Sequence, residues 1–256
     1  MHILVIGDVI GNPGRRVLSV LIPKLRQEYS INMVVANAEN SAGGIGVTPE
    51  TAKEMLNDGV DVLTSGNHVW AQKDIYSYLD SDMPILRPLN YPPGVPGKGY
   101  LIKNRVLVVN LIGRTFFTYN YDCPFRTMDK LLADMKDKPP IIIIDFHAEA
   151  TSEKVALGRY LDGRVSAVLG THTHVGTIDT QILPKGTAYV TDIGMTGPLD
   201  SVIGDDIDSV LSRFLTQMPY RLTVGKGKVV FNGILLNVDE ASGKATSAVR
   251  ITREVT

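Results

Sequence analysis

Short runs of aliphatic and β-branched residues recur along the first half of the chain, and each is followed by a polar loop and a helical pattern. The predicted strands span residues 3–6, 33–36 and 60–63. The predicted helices span residues 17–29, a segment opened by Thr48-Pro49-Glu50 and a segment from about residue 73. In the second helix, Thr48 suits the N-cap and Pro49 the first turn. This alternation predicts parallel βαβ units.

The second half begins with a stretch rich in proline and glycine and then changes character. Two β-branched runs around a short polar turn predict a hairpin over residues 100–111, and the βα rhythm resumes afterwards. The remaining predicted elements are strands at 141–144 and 165–169, a helix at 205–215 and long strands at 229–238 and 245–253. We therefore predict one α/β domain over residues 1–256, with a parallel first half and a more antiparallel second half.

Composition and charge narrow the function classes. The 256 residues are 44% hydrophobic and carry a formal net charge of −1. An ordinary apolar fraction suits a full core, and the absence of a basic excess argues against strong non-specific nucleic-acid binding. Cys123 is the single cysteine, which excludes an intramolecular disulfide and a thiolate-rich zinc site. Because no signal peptide or apolar run of transmembrane length is present, we expect a cytoplasmic protein without membrane partners.

Metal-competent side chains cluster directly after the predicted strands. Four of the five histidines are so placed, and these are His68, His147, His172 and His174. Asp8 follows the first predicted strand, Glu39 and Asn40 follow the second, and Asn67 follows the third. Since ligands of open α/β sheets bind at the carboxyl ends of strands, we expect these side chains to converge.

Each of these residues also has a simpler explanation. Asp8 alone suits a helix cap, and Asn40 and Asn67 are residue types common in turns. His172 and His174 are more informative, because two imidazoles at this spacing point the same way along an extended segment. The joint pattern, in which several loops all present metal ligands, is what favours a metal site.

The sequence resembles the calcineurin-like metallophosphoesterases. The resemblance rests on Gly7-Asp8, Gly66-Asn67-His68, His147 and Gly170-Thr171-His172-Thr173-His174. It departs from the usual signature at Ile10, where a histidine ligand is typical, and at residues 37–44, where Asn-Ala-Glu-Asn-Ser-Ala-Gly-Gly replaces the second motif. These departures, with Thr191 to Pro198, resemble the bacterial YmdB-like subfamily, which is described as cyclic-nucleotide phosphodiesterases. The resemblance covers essentially the whole chain.

The resemblance implies a fold, a set of metal ligands and a residue that donates a proton during the reaction. The fold is a four-layer αββα sandwich with two central mixed β-sheets. One metal would be held by Asp8, Glu39, Asn40 and His174. The other would be held by Asn67, His147, His172 and the bridging Glu39. His68 would be the proton donor, although its position also suits a further ligand or a supporting residue.

The charge of such a site agrees with phosphoester hydrolysis. Two divalent ions with about two negative ligand charges leave a net charge near +2, which attracts a phosphoryl group. Such a pair lowers the pKa of a bridging water and produces hydroxide for in-line attack. Nitrogen and oxygen ligands without thiolate favour two ions of iron or manganese per chain, with zinc less favoured.

The expected substrate, taken from the resemblance, is a small phosphodiester such as a 2′,3′-cyclic or 3′,5′-cyclic nucleotide. One alternative is a phosphomonoesterase acting on a small nucleotide or sugar phosphate. Another is a regulatory nucleotide- or RNA-binding protein with a structural metal centre. The sequence leaves the oligomeric state open, and a homo-oligomer is compatible with it.

Three further features have two interpretations each. Arg15 or Arg16 could contact a substrate phosphate, or could belong to a solvated helix start. Residues 191–198 suit either a substrate wall or a structural turn. The aromatic group Phe116, Phe117, Tyr119 and Tyr121 favours core packing over a base-stacking or oligomer surface.

Overall fold

Two six-stranded β-sheets form the centre of the molecule, which is a computed structural model that describes residues 1–255. The strands are β1 (His2–Val9), β2 (Met33–Asn37), β3 (Val62–Thr64), β4 (Tyr100–Lys103), β5 (Val106–Ile112), β6 (Ile141–His147), β7 (Ala167–Thr171), β8 (Gln181–Ile182), β9 (Ala188–Val190), β10 (Met195–Pro198), β11 (Val229–Val238) and β12 (Ala245–Val255). The first sheet has the order β12-β11-β10-β1-β2-β3, and the second has the order β4-β5-β6-β7-β9-β8.

Helices follow many of the strands, as the alternation predicts. They are α1 (Gly11–Tyr29), α2 (Pro49–Asn57), the short α3 (Tyr76–Leu79) after a 3₁₀ turn (Lys73–Ile75), α4 (Pro124–Asp134), α5 (Thr151–Leu161) and α6 (Ile207–Thr216). The predicted start of α2 is confirmed, because the Thr48 side chain accepts a hydrogen bond from the Thr51 N–H and Pro49 opens the helix. Within residues 1–255, none of the helices is long and apolar enough to cross a lipid bilayer.

Each sheet combines parallel and antiparallel strands, with antiparallel pairs at one edge of the first sheet and at both edges of the second. The strands β1, β2 and β3 pair in parallel, as do β5, β6, β7 and β9. The predicted hairpin of β4 with β5 and the antiparallel pair of β11 with β12 are confirmed. The predicted contrast between a parallel first half and a more antiparallel second half is confirmed, because β8–β9, β10–β11 and β11–β12 all pair antiparallel. The second half also contains parallel pairs, since β7 and β9 extend the second parallel set and β10 pairs in parallel with β1.

The side chains of β1 show how the layers are held together. Leu4 and Ile6 pack in a core under α1 and α2, whereas Ile3 and Val5 pack in a core between the two sheets. The alternation follows from the two-residue period of a strand, and β5 repeats it between the middle core and the core under α4 and α5. Three cores between four layers confirm the predicted αββα sandwich.

Candidate metal centre

The candidate site lies at the carboxyl edge shared by the two sheets. Asp8 is the second-last residue of β1, His147 is the last residue of β6, and His172 follows β7 directly. Glu39 and Asn40 follow β2, and Asn67, His68 and His174 lie on neighbouring loops. The parallel centre of each sheet points these strand ends in one direction, so the predicted residues of both sheets meet.

Four of the predicted residues form a tight group around His147. The His147 Nε2 atom lies 2.9 Å from Glu39 Oε1, 3.0 Å from Asn67 Oδ1 and 3.0 Å from His172 Nδ1. Ligands at right angles around an ion with bonds of about 2.1 Å are about 3.0 Å apart. The spacing of these atoms therefore fits adjacent corners of one coordination sphere.

The three clustered histidines are each held by the nitrogen that faces away from the cluster. The bonds are His147 Nδ1 to Thr171 Oγ1 at 3.0 Å, His172 Nε2 to Glu149 Oε2 at 2.8 Å and His174 Nδ1 to the Ile203 carbonyl at 2.7 Å. A ring nitrogen that donates to a carboxylate or a carbonyl carries the proton. The inner nitrogen of a neutral ring then keeps its lone pair, which is the arrangement typical of metal ligands.

The Thr171 hydroxyl, which contacts His147, is itself held by the buried carboxylate of Asp145. Thr171 Oγ1 donates to Asp145 Oδ1 at 2.7 Å, so its single proton is used and it accepts from His147. Asp145 is 2% exposed and also accepts hydrogen bonds from Asn37 and Thr64. No pattern in the sequence predicts this chain of contacts.

A second group consists of Asp8, Asn40 and His174. His174 Nε2 lies 3.1 Å from Asn40 Nδ2 and 3.7 Å from Asp8 Oδ1. Asp8 is fully buried, and its Oδ1 has no hydrogen-bond partner among residues 1–255. A buried carboxylate oxygen without a partner is costly, and a cation beside it would remove that cost. Rotation of the Asn40 carboxamide would bring its oxygen to the same point.

Glu39 lies between the two groups. Its Oε1 contacts His147 on one side and accepts from Asn40 Nδ2 at 3.4 Å on the other. Its Oε2 accepts the backbone N–H of His68 at 3.2 Å. A carboxylate with contacts to both groups is positioned as the predicted bridge requires.

The pKa values of the cluster reflect a concentration of negative charge. Burial raises the pKa of Asp8 to about 6. Burial alone would raise the pKa of Glu39 and lower that of His147, but their mutual attraction outweighs it, so the Glu39 pKa is lowered and the His147 pKa is raised. Burial and the nearby His147 lower the pKa of His172 to about 3. A cation would compete with the proton of His147 for the same negative charge.

Gly66 lets the loop after β3 pass directly over the cluster. A Cβ atom at this position would lie 2.2 Å from His147 Cδ2 and 2.3 Å from Glu39 Oε2. Both neighbours belong to the candidate ligand set and cannot move without disturbing it. The glycine before Asn67 is therefore explained by close approach.

The expectation of an extended segment at His172 and His174 is wrong. Their φ angles are 99° and 66°, which are left-handed values that cost energy in residues other than glycine. The two rings turn to different groups, His172 towards His147 and His174 towards Asn40.

A buried ion pair supports this loop. Asp192 Oδ2 contacts Lys154 Nζ of α5 at 2.7 Å and accepts from the N–H and hydroxyl of Thr173, the residue between the two histidines. Lys154 and Asp192 are 1% and 0% exposed in their side chains. Of the two interpretations of residues 191–198, these contacts favour the structural one.

A cleft of about 700 Å³ opens over the cluster. Besides Glu39, Asn40, His68, His172 and His174, its walls include Asp205, Arg213, Tyr220 and Arg221, which the sequence analysis did not identify. Of the two candidate arginines, Arg15 binds Glu54 at 2.7 Å and the Ser41 carbonyl, which braces the loop after Asn40. Arg16 lines a separate cavity with Lys226. Neither of them lines the cleft.

Comparison with known proteins agrees with this geometry. A Bacillus subtilis (strain 168) protein named 2′,3′-cyclic-nucleotide 2′-phosphodiesterase is 47% identical over 98% of this chain and 96% of its own length. A crystal structure of a hypothetical protein from Thermus thermophilus superposes with a TM-score of 0.92 at 43% identity and covers 99% of each chain. A crystal structure of a novel phosphatase from Mycoplasma pneumoniae superposes with a TM-score of 0.93 at 32% identity. The match covers 99% of this chain and 93% of that one.

The YmdB-like protein family model matches residues 4–251, which is nearly the whole chain. The departures from the general metallophosphoesterase signature, at Ile10 and at residues 37–44, lie inside the matched region. The chain belongs to the YmdB-like family.

Proposed function

We propose that this protein is a phosphodiesterase with two metal ions per chain that hydrolyses 2′,3′-cyclic nucleotides. The observation that carries the proposal is the orientation of three histidines, each of which is held by its outer nitrogen and turns its inner nitrogen towards another residue of the candidate ligand set. The B. subtilis relative, at 47% identity, supports the choice of substrate.

The two groups of side chains would hold one ion each. Asn67, His147 and His172 would hold the first, Asp8, Asn40 and His174 would hold the second, and Glu39 would bridge them. When bound, such ions polarise phosphoryl oxygens and supply a nucleophile at neutral pH. The nitrogen and oxygen ligands suit iron or manganese better than zinc.

The residues of the chain perform the remaining steps. Arg213 and Arg221 line the cleft and attract the phosphodiester charge. Water adds to phosphorus, the bond to O2′ breaks, and O2′ takes a proton from the His68 ring, which leaves a nucleoside 3′-phosphate. The water releases a proton to solvent, from which His68 is reprotonated. The backbone contact of His68 with Glu39 keeps its position fixed relative to the cluster.

A phosphomonoesterase is the second candidate, because the M. pneumoniae neighbour is described as a phosphatase. The two functions differ in the product of 2′,3′-cyclic AMP. A diesterase stops at 3′-AMP, whereas a diesterase with monoesterase activity continues to adenosine and inorganic phosphate. We expect 3′-AMP to accumulate.

The test combines metal analysis with product analysis. Protein reloaded with manganese or iron should contain about two ions per chain and convert 2′,3′-cyclic AMP to 3′-AMP. His172→Ala and His174→Ala should each retain about one ion and lose at least about a hundredfold in kcat. The matched control is His2→Ala, because the His2 ring contacts the Tyr29 carbonyl, away from the cluster. Protein without bound transition metal, and without activity after addition of manganese or iron, would refute the proposal.

A further inference from the structure

A second cleft adjoins the metal cleft and has a different character. It encloses about 570 Å³, and its walls are mainly aromatic. The aromatic residues that line it are Trp70, Tyr91, Phe117, Tyr119 and Tyr121. Among residues 1–255, no aspartate, glutamate, lysine or arginine lines it. We call it the aromatic cleft.

The rings of the aromatic cleft do not stack on one another. Trp70 and Tyr91 meet at 86° with centroids 5.6 Å apart, and Tyr91 and Tyr121 meet at 71° and 4.9 Å. Phe117 meets Tyr121 at 75°. Steep edge-to-face contacts of this kind hold the rings in place.

Core packing does not account for this aromatic group. Tyr121 is buried, as core packing predicts, but Tyr119 is 70% exposed and Phe116 is 84% exposed. Tyr119 therefore presents its ring at the cleft while being largely open to water. Aromatic side chains left exposed beside a cavity commonly mark a binding surface.

The aromatic cleft and the metal cleft meet at His68. This histidine lines both, and Asn67 of the candidate ligand set also lines the aromatic cleft. On the other side, the ring of Phe117 lies 5.0 Å from that of His172. A phosphodiester at the cluster would therefore place the next part of its molecule at the mouth of the aromatic cleft.

We propose that the aromatic cleft binds the base of the nucleotide substrate, an inference that rests on the proposed function. In a 2′,3′-cyclic nucleotide the phosphate and the base lie on opposite sides of the ribose. The charged phosphate matches the cleft with Arg213 and Arg221, and the uncharged planar base matches the aromatic one. The volume of the aromatic cleft lies within the range of about 300–1,000 Å³ that is usual for small-ligand sites.

Recognition by ring surfaces predicts broad base tolerance. Every base has a flat π-face, so stacking accepts all four bases, and larger purines gain more contact than pyrimidines. We expect kcat/KM to be higher for 2′,3′-cyclic AMP than for 2′,3′-cyclic UMP, with both exceeding a substrate without a base.

The single tryptophan allows a direct binding test, because Trp70 lines the aromatic cleft. Its fluorescence should be quenched in a saturable manner by the product 3′-AMP, and ribose 3-phosphate and inorganic phosphate should cause little change. Tyr119→Ala should weaken the affinity for 3′-AMP, measured by this titration, about 5- to 100-fold, which is the usual range for one stacking contact. Phe117→Leu should have the same direction of effect.

A matched control lies in the same loop. Phe116 does not line the aromatic cleft although it is more exposed than Tyr119, so Phe116→Ala should bind 3′-AMP as the unaltered protein does. Tyr220→Ala tests the competing location, because Tyr220 lines the metal cleft. If Tyr220→Ala weakens the binding of 3′-AMP and Tyr119→Ala does not, the base lies in the metal cleft and the inference is overturned.

Kinetics separate this inference from the proposed function. The substrates are 2′,3′-cyclic AMP and methyl riboside 2,3-cyclic phosphate, which lacks a base. Tyr119→Ala should raise KM for the nucleotide about 5- to 100-fold and leave turnover of the base-free substrate unchanged. Equal turnover of both substrates by the unaltered protein would overturn the base site but keep the proposed function. Quenching by 3′-AMP without turnover of either substrate would refute the proposed function but keep the base site.

Discussion

At the residue scale, the four histidines of the site differ in how their rings are held. His147, His172 and His174 each have an outer nitrogen bonded to a hydroxyl, a carboxylate or a carbonyl. His68 contacts Glu39 through its backbone N–H, and its ring faces the junction of two clefts. Burial lowers the pKa of His68, which makes its protonated ring a stronger acid and also reduces the fraction of the ring that is protonated near neutral pH. The difference in how the rings are held supports a role as metal ligands for the first three histidines and a role as general acid for His68.

The acid role of His68 makes a prediction about leaving groups. His68→Ala should keep about two ions per chain, and kcat for 2′,3′-cyclic AMP should fall about 10²- to 10⁴-fold, the usual contribution of a general acid. For a nitrophenyl phosphodiester the loss should be much smaller, because nitrophenolate leaves without protonation. The measurement is kcat for both substrates with metal content by elemental analysis. Equal losses would indicate a structural or binding role instead.

The sequence predicts the inner surface of the site better than its outer supports. Asp8, Glu39 and His147 could be identified because they follow buried strand patterns that end at one edge of a sheet. Glu149 and Thr171 could not, because their importance depends on which ring nitrogen they contact, and this is determined by tertiary structure. The left-handed φ angles of His172 and His174 were missed for the same reason, since residue type and spacing favour an extended segment.

At the element scale, the loop after β7 is held by contacts that come from distant parts of the chain. Helix α5 supplies Lys154, the loop before β10 supplies Asp192, and together they fix the backbone at Thr173. The strand β10 then pairs beside Asp8 of β1. Strands β8, β9 and β10 are only two to four residues long, so periodicity does not reveal them. Strands β8 and β9 form a local hairpin, but the pairing of β9 with β7 and of β10 with β1 is non-local and requires the folded sheets.

The ion pair of Lys154 predicts a stability effect together with a metal effect. Lys154→Met should lower the free energy of unfolding by about 3–5 kcal/mol, because it leaves Asp192 charged, buried and without its partner. Since Asp192 holds Thr173, metal affinity should also fall. Urea unfolding and metal titration measure the two effects. Lys24→Met is the matched control, an exposed lysine of α1 for which both quantities should change little. Loss of stability with unchanged metal affinity would show that the pair does not position the loop.

At the scale of the whole molecule, acidic and basic side chains nearly balance. The chain has 26 basic and 27 acidic residues, so no excess of basic side chains is available to follow a long polyanion. Within the cleft, Arg213 and Arg221 are the arginines that line the walls. The four-layer fold brings two strand edges together at this point and builds the cluster between them. We therefore expect the site to attract a single phosphodiester and not a long polyanion.

The last prediction concerns the salt dependence of catalysis. Each cationic contact with single-stranded nucleic acid contributes a slope of about −0.7 to the logarithm of affinity against the logarithm of salt concentration. A mononucleotide carries no condensed counterions to release, so kcat/KM for 2′,3′-cyclic AMP should depend on salt much less steeply, and Arg213→Gln should weaken that dependence further. A long RNA should be cleaved poorly under the same conditions. Efficient cleavage of RNA with a much steeper slope would reveal a basic surface assembled in the fold or in an oligomer, contrary to the proposed preference for a small substrate.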